Sequence, residues 1–269
     1  MNFNFPCHRG RSNSRRPGVP AKLSDLFTSS FSSEPAAWAY GEENATSQAD
    51  QGSFSEPSLW RTVDKSGNFF LTDDNLIRKI DPLGNLSIVA GSADPGFADG
   101  VGRTAQFAYP AGLAVDKSGN LFVADTGNHR IRKINPDGQV TTLAGNGQPG
   151  YADGIRTAAQ FHFPLGVTVD EDGNVYVADR SNRRIRKIDA NGTVSTFAGS
   201  GISGLVDGPG ATAQFKSPAG ILVDRTGSIY VSDLRSPDVR KIDRTGFVST
   251  LGTPSVPSAP TTKNTRSHL

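Results

Sequence analysis

The chain has 269 residues, with 28 Lys plus Arg against 26 Asp plus Glu, so bulk charge gives no argument for a polyanion-binding role. Its one cysteine, Cys7, excludes an intramolecular disulfide and a cysteine-built zinc site, and no run of about 18 apolar residues exists to cross a membrane. Thirty glycines disfavour a helical protein, and turns and sheets are expected to dominate.

Residues 1–49 are rich in Ser, Pro, Asn and charge, show little periodicity, and are expected to be disordered. The basic stretch His8 to Arg16 stands where a secretory signal would be apolar, so no signal peptide is expected. Five basic and no acidic side chains within residues 1–24 suit a flexible tail better than a targeting segment or an anion-binding arm. Residues 253–269, rich in Pro, Ser and Thr, read as a second tail.

Between the tails, residues 50–252, one block recurs with a period of 54 residues. It reads Val115-Asp116-Lys117-Ser118-Gly119-Asn120-Leu121-Phe122-Val123-Ala124-Asp125, then Ile131-Arg132-Lys133-Ile134, then Val140-Thr141-Thr142-Leu143-Ala144-Gly145. Copies start again at Val169-Asp170 and Val223-Asp224, and an earlier one at Val63-Asp64 is two residues shorter after Asp73. Each copy holds four short β-rich runs separated by turn chemistry such as Ser118-Gly119-Asn120 and Pro136-Asp137-Gly138. Such a four-stranded meander is apolar on both faces, Leu121 and Val123 on one and Phe122 and Ala124 on the other. Neighbouring sheets must therefore cover both, and stacking repeated sheets about an axis does so. The expected fold is an all-β propeller of at least four blades, four being recognisable in the sequence.

The wording also resembles a known family. Asn128-His129-Arg130-Ile131, following a Gly-Asn-x-(Tyr/Phe)-Val-Ala-Asp run, is similar to the NHL repeat. The resemblance implies a propeller, commonly six-bladed, whereas four copies are visible here. Three closures stay open: a four-blade ring, degenerate strands hidden in residues 1–57, or an open ring. Phe54-Ser55-Glu56-Pro57 echoes Phe107-Ala108-Tyr109-Pro110 and puts the start of the repeats near residue 50.

A residue present in every copy is needed by every blade, whereas a ligand needs an asymmetric constellation. Asp116, Asp170 and Asp224, with Asp125, Asp179 and Asp233, are accordingly read as strand-end residues that hydrogen-bond turn amides. Asp170-Glu171-Asp172-Gly173-Asn174 mimics a calcium loop without its closing Glu and reads as a hairpin turn. Asp99-Gly100, Asp153-Gly154 and Asp207-Gly208 read as turns ahead of the anchors Phe107, Phe161 and Phe215. The recurring Arg-Lys pairs at 78–79, 132–133, 186–187 and 240–241 read as solvated, salt-bridged strand positions, because residues 61–252 balance 21 basic against 20 acidic side chains and no stacking aromatics interleave.

In a meander the tight 1-2 and 3-4 turns share one end, and the variable 2-3 connections share the other with the long inter-blade loops 92–111, 146–165 and 200–219. Long loops at the mouth of a rigid scaffold are the default place for binding residues. The candidates there are His129, Arg130, Tyr151, His162, Arg183, Arg184, Arg235 and Asp238. Two histidines without a matched third ligand do not make a zinc site, and no nucleophile elbow, P-loop or His-Glu-x-x-His is present. The expected role is a scaffold binding protein, peptide or glycan, without catalytic residues, metal or cofactor. The alternative that the resemblance implies is a propeller enzyme, a lyase or lactonase-like hydrolase using a divalent metal in the central funnel; RNA binding comes third, with nucleic acid disfavoured by the charge balance. A monomer is expected, or a dimer if the ring is incomplete, and the compartment is not legible.

Overall fold

The computed structural model describes residues 60–252. The readings of residues 1–49 and 253–269 lie outside the described residues. No helix among those described is long and apolar enough to cross a membrane.

Four antiparallel sheets follow one another. The first is β1 (Arg61–Val63), β2 (Phe69–Asp73), β3 (Leu76–Ile80) and β4 (Leu86–Gly91). The second joins β6 (Pro110–Val115), β7 (Leu121–Asp125), β8 (Arg130–Ile134) and β9 (Gln139–Ala144), with β5 (Gly100–Val101) added beside β9. The third repeats it with β11 (Pro164–Val169), β12 (Val175–Asp179), β13 (Arg184–Ile188), β14 (Thr193–Ala198) and the added β10 (Gly154–Ile155). The fourth is β15 (Pro218–Val223), β16 (Ile229–Asp233), β17 (Val239–Ile242) and β18 (Val248–Leu251). The protein is a four-blade β-propeller in which each blade is the expected meander.

The 1-2 turns form as the sequence dictates. Asp116 Oδ1 accepts from the N–H groups of Ser118 and Asn120, and its Oδ2 accepts from Asn120 Nδ2. Asp64 and Asp170 repeat this pattern, and Asp224 Oδ1 accepts from the N–H groups of Thr226 and Ser228 while its Oδ2 accepts from the Tyr230 hydroxyl. Blades then pack through mixed cores: Phe122, Ala124 and Ile131 of the second meet Val175, Val177 and Ile188 of the third, with Phe161 inserted from the loop between. Near the axis Trp60, Ala111, Leu165 and Ala219 cluster. Inner strands approach backbone to backbone there, since a Cβ on Gly112 would stand 2.4 Å from the Leu165 carbonyl oxygen and one on Gly166 only 2.1 Å from that of Ala219.

Two expectations are corrected. The Asp-Gly pairs are not simple turns: Gly100-Val101 and Gly154-Ile155 pair with Val140-Gln139 and Val194-Thr193, so each inter-blade loop runs down the outer edge of the next blade before returning. An edge strand presents unpaired N–H and C=O groups, and the loop satisfies them.

The Arg-Lys pairs are the second correction, because only half of each pair is near solvent. Strand alternation turns Lys133 over the Phe122 ring while Arg132, opposite Val123, is completely buried. Arg132 donates from Nη1 to Asp125 (2.8 Å) and the Gln106 carbonyl, and from Nη2 to Asp99 (2.6 Å) and the Ala98 carbonyl. Arg186 repeats this with Asp179, Gln160, Asp153 and Ala152. The guanidinium of Arg132 also lies 4.9 Å from the Phe97 ring centre and 5.1 Å from that of Phe107. Arg240 pairs with Asp207, and Arg78 with Asp73 at 2.6 Å.

Burial pushes the Asp179 carboxyl up, against the pull of the Asn182 amide, the His162 N–H and Arg186. Removing one partner of a buried pair strands the other charge. Arg186→Ala should therefore lower unfolding free energy by about 3–5 kcal/mol at pH 7. Urea titration checks it, and the loss should shrink at pH 4, where the orphaned carboxyl of Asp179 takes up a proton.

Candidate functional site

At the end opposite the Asp turns, the 2-3 connections of the second, third and fourth blades pack against the segment entering the inner strand. The N–H of Gly127 bonds the Ala108 carbonyl, that of Ser181 the His162 carbonyl and that of Leu234 the Ser217 carbonyl. This row, residues 108–109, 162–163 and 216–217, is the inner rim of the loop-rich mouth.

His129 sits in the left-handed region (φ 53°) after a single 3-10 turn and is buried. Its Nδ1 accepts from the N–H of Phe163 at 3.1 Å, a bond from one blade to the next. Asn75 does the same one blade earlier, its Oδ1 accepting from the Tyr109 N–H at 3.1 Å. In the third blade this position holds Arg183, which has no acceptor to offer. There the Ser217 N–H goes to Asp233 Oδ2, which also takes the Lys216 N–H. The residues served by Asn75 and His129 are Tyr109 (φ 49°) and Phe163 (φ 50°), both left-handed, a conformation uncommon for bulky side chains.

Of the candidates, His129 and His162 come together, with ring centres 5.7 Å apart, and both flank Phe163 at 4.6 and 5.3 Å. Arg130 and Arg184 lie over the rings of Phe97 (3.7 Å) and Tyr151 (3.9 Å) and donate to the carbonyls of Asn128 and Asn146, and of Asn182 and Ser200. The Tyr151 hydroxyl meets Thr196 Oγ1 at 2.9 Å. Those three are occupied in bracing the loops. Arg183 reaches the Gly201 carbonyl, the Arg235 N–H bonds Asp233, and Asp238 accepts from Ser236 Oγ.

Tyr109 and Phe163, which the sequence reading passed over, are the exposed aromatics of this rim, at 60% and 39%. Their signal lay in the repeat itself: the residue before the inner-strand proline is Tyr109, Phe163 and then Ser217, so it varies where the framework does not.

A separate cavity of about 330 Å³ lies at the opposite end, where the turns beginning at Asp64, Asp116 and Asp170 converge. Its aspartate oxygens are engaged by turn amides, and among the described residues no three His, Cys, Asp or Glu side chains group as a metal site. At the mouth side chains differ from blade to blade, with Asn75, His129 and Arg183 at one repeat position and Tyr109, Phe163 and Ser217 at another.

A family model described as the NHL repeat matches residues 107–134 and 161–188. Among curated proteins the chain is similar to NHL repeat-containing protein 2 of Bos taurus, 39% identical over 124 residues, which is 44% of this chain and 17% of that protein. It is also similar to NHL repeat-containing protein 3 of Mus musculus, 33% identical over 157 residues, 57% of this chain and 41% of that one. The chain spans less than half the length of these relatives. An auxiliary nutrient binding protein from Bacteroides ovatus shares the fold with a TM-score of 0.56 and 21% identity, over 73% of this chain and 49% of the other.

Burial holds the His129 imidazole below its ordinary pKa, helped by the positive field of His162 and Arg130. The folded state thus keeps His129 neutral, while the unfolded chain takes a proton near pH 6.5. More protons on the unfolded chain mean that stability is present above pH 6.5 and is lost as pH falls toward the lower folded value. His129→Ala should cost about 1 kcal/mol at pH 7, the worth of one hydrogen bond. His129→Asn, which copies Asn75, should keep that bond and flatten the fall between pH 7 and 5. Melting temperature against pH for the three proteins checks both.

Proposed function

Since the chain belongs to the NHL-repeat β-propellers, we propose that it is a binding scaffold whose loop-rich mouth takes a protein, peptide or glycan ligand. The observation that carries this reading is the pair Tyr109 and Phe163, exposed at one repeat position and held left-handed by Asn75 and His129. A flat aromatic face in a fixed orientation offers contact area at low entropic cost, because little side-chain freedom is left to lose on binding. His162 beside Phe163, with the cationic Arg183 and Arg235 on the following 2-3 connections, would add donors around that surface.

Framework and ligand chemistry are separable in this reading. The buried arginines and their aspartates recur and set the loops; the rim residues differ and meet the ligand. Wild-type protein and a Tyr109→Ala, Phe163→Ala variant, applied to immobilised peptide and glycan arrays, test it. The wild type should give discrete positives that the variant loses by at least tenfold, with the melting temperature shifted by no more than a few degrees. Equal binding by the variant would place the ligand elsewhere.

A further inference from the structure

Every junction between blades is made from the same two half-faces. The leading half is Ala114, Phe122, Ala124 and Ile131 in the second blade, and Thr168, Tyr176, Ala178 and Ile185 in the third, all buried by the blade that follows. At the axis Gly112 and Gly166 admit the backbone of that next inner strand.

The fourth blade repeats this leading half with Leu222, Tyr230, Ser232 and Val239, and repeats the glycine as Gly220. Yet Leu222 is 62% and Val239 40% exposed, and a Cβ on Gly220 would meet only Ser232 of its own sheet. The first blade carries the complementary half. Val63, Phe69, Ile80 and Leu86 stand where the second blade has Val115, Leu121, Ile134 and Val140. Leu121, Ile134 and Val140 are buried under the first blade, whereas Phe69, Ile80 and Leu86 are half-buried and Val63 is 53% exposed.

Among the described residues, the fourth and first blades thus carry the two halves of an interface that is built three times between blades, and both halves stay partly exposed. We propose that a second copy of the chain completes it head to tail. The fourth blade of each copy seats on the first blade of the other, closing a two-fold ring of eight blades, at the upper end of the range for propellers. This goes beyond the binding role and does not depend on it. The end faces differ from the internal junctions in the direction this requires: Ser232 replaces the alanines 124 and 178, and Arg61 replaces Leu113 and Val167. Polar residues within an apolar face keep it tolerable to water while the copies are apart.

Light scattering on the full chain over a concentration series reads the result. The expected mass is twice the 28.5 kDa of one chain. Leu222→Glu and Val63→Glu, at exposed positions, should each give a folded species of one-chain mass. Mixed in equal amounts they should regain the double mass, because one junction of the mixed ring carries both changes and the other carries neither. If circular dichroism shows Leu222→Glu to be unfolded, Ser232→Arg takes its place. A wild type of one-chain mass throughout would overturn the proposal, and protection of β15 and β16 amides in that monomer would give the face to residues 1–59 instead. A dimer indifferent to either substitution, or a mixture that stays at one-chain mass, would overturn it equally.

Discussion

The buried guanidinium in the third strand of each blade is the constraint on which the rest depends. Arg186 ties its own strand to the end of the second strand through Asp179, and to the inter-blade loop through Asp153 and two carbonyls. Taking such a pair out of water is costly, and burial already presses the Asp179 carboxyl toward its neutral form. What the arrangement secures is a single path for the loop. A fork with fixed donor directions accepts partners only where they stand, and Phe161 and Tyr151 close over it at 5.2 and 4.9 Å.

That fixed path also fixes the shape of the mouth. Because the loops descend as β5 and β10 and cover an edge, much of their length is structural, and what returns to the rim is short and braced. Arg130 and Arg184, clamped on Phe97 and Tyr151, hold it from the outer side. Asn75 and His129 hold it from the neighbouring blade. The strained conformation of Tyr109 and Phe163 persists because contacts on both sides over-determine it.

The architecture was legible because repetition in the sequence is repetition in space. The aspartate turns, the four meanders and the Phe107 and Phe161 anchors followed from residue type and spacing alone. Burial of Arg132 was not legible, since the partners that make a buried charge tolerable, Asp99 and the carbonyls of Ala98 and Gln106, lie 26 to 34 residues away in a loop. The same loop misled at Asp99-Gly100, where turn chemistry hides an edge strand. At the loop-rich end of the sheets the sequence drew attention mostly to charged residues. Several of those serve as braces, and the aromatics they steady were passed over.

The fourth blade shows how one substitution propagates through such a frame. At the position of Asn75 and His129 the third blade has Arg183, which can only donate, so the N–H it should serve needs another acceptor. Asp233 supplies one, taking the N–H groups of Lys216 and Ser217 on one oxygen and that of Arg235 on the other. Its counterparts Asp125 and Asp179 instead each spend an oxygen on the blade's arginine, while Arg240 pairs with Asp207. With its N–H turned toward its own blade, Ser217 is not left-handed, whereas Tyr109 and Phe163 are. A blade therefore presents a left-handed aromatic at the rim only where its predecessor offers an acceptor, so the identity of one residue per blade sets both the junction and the surface beside it.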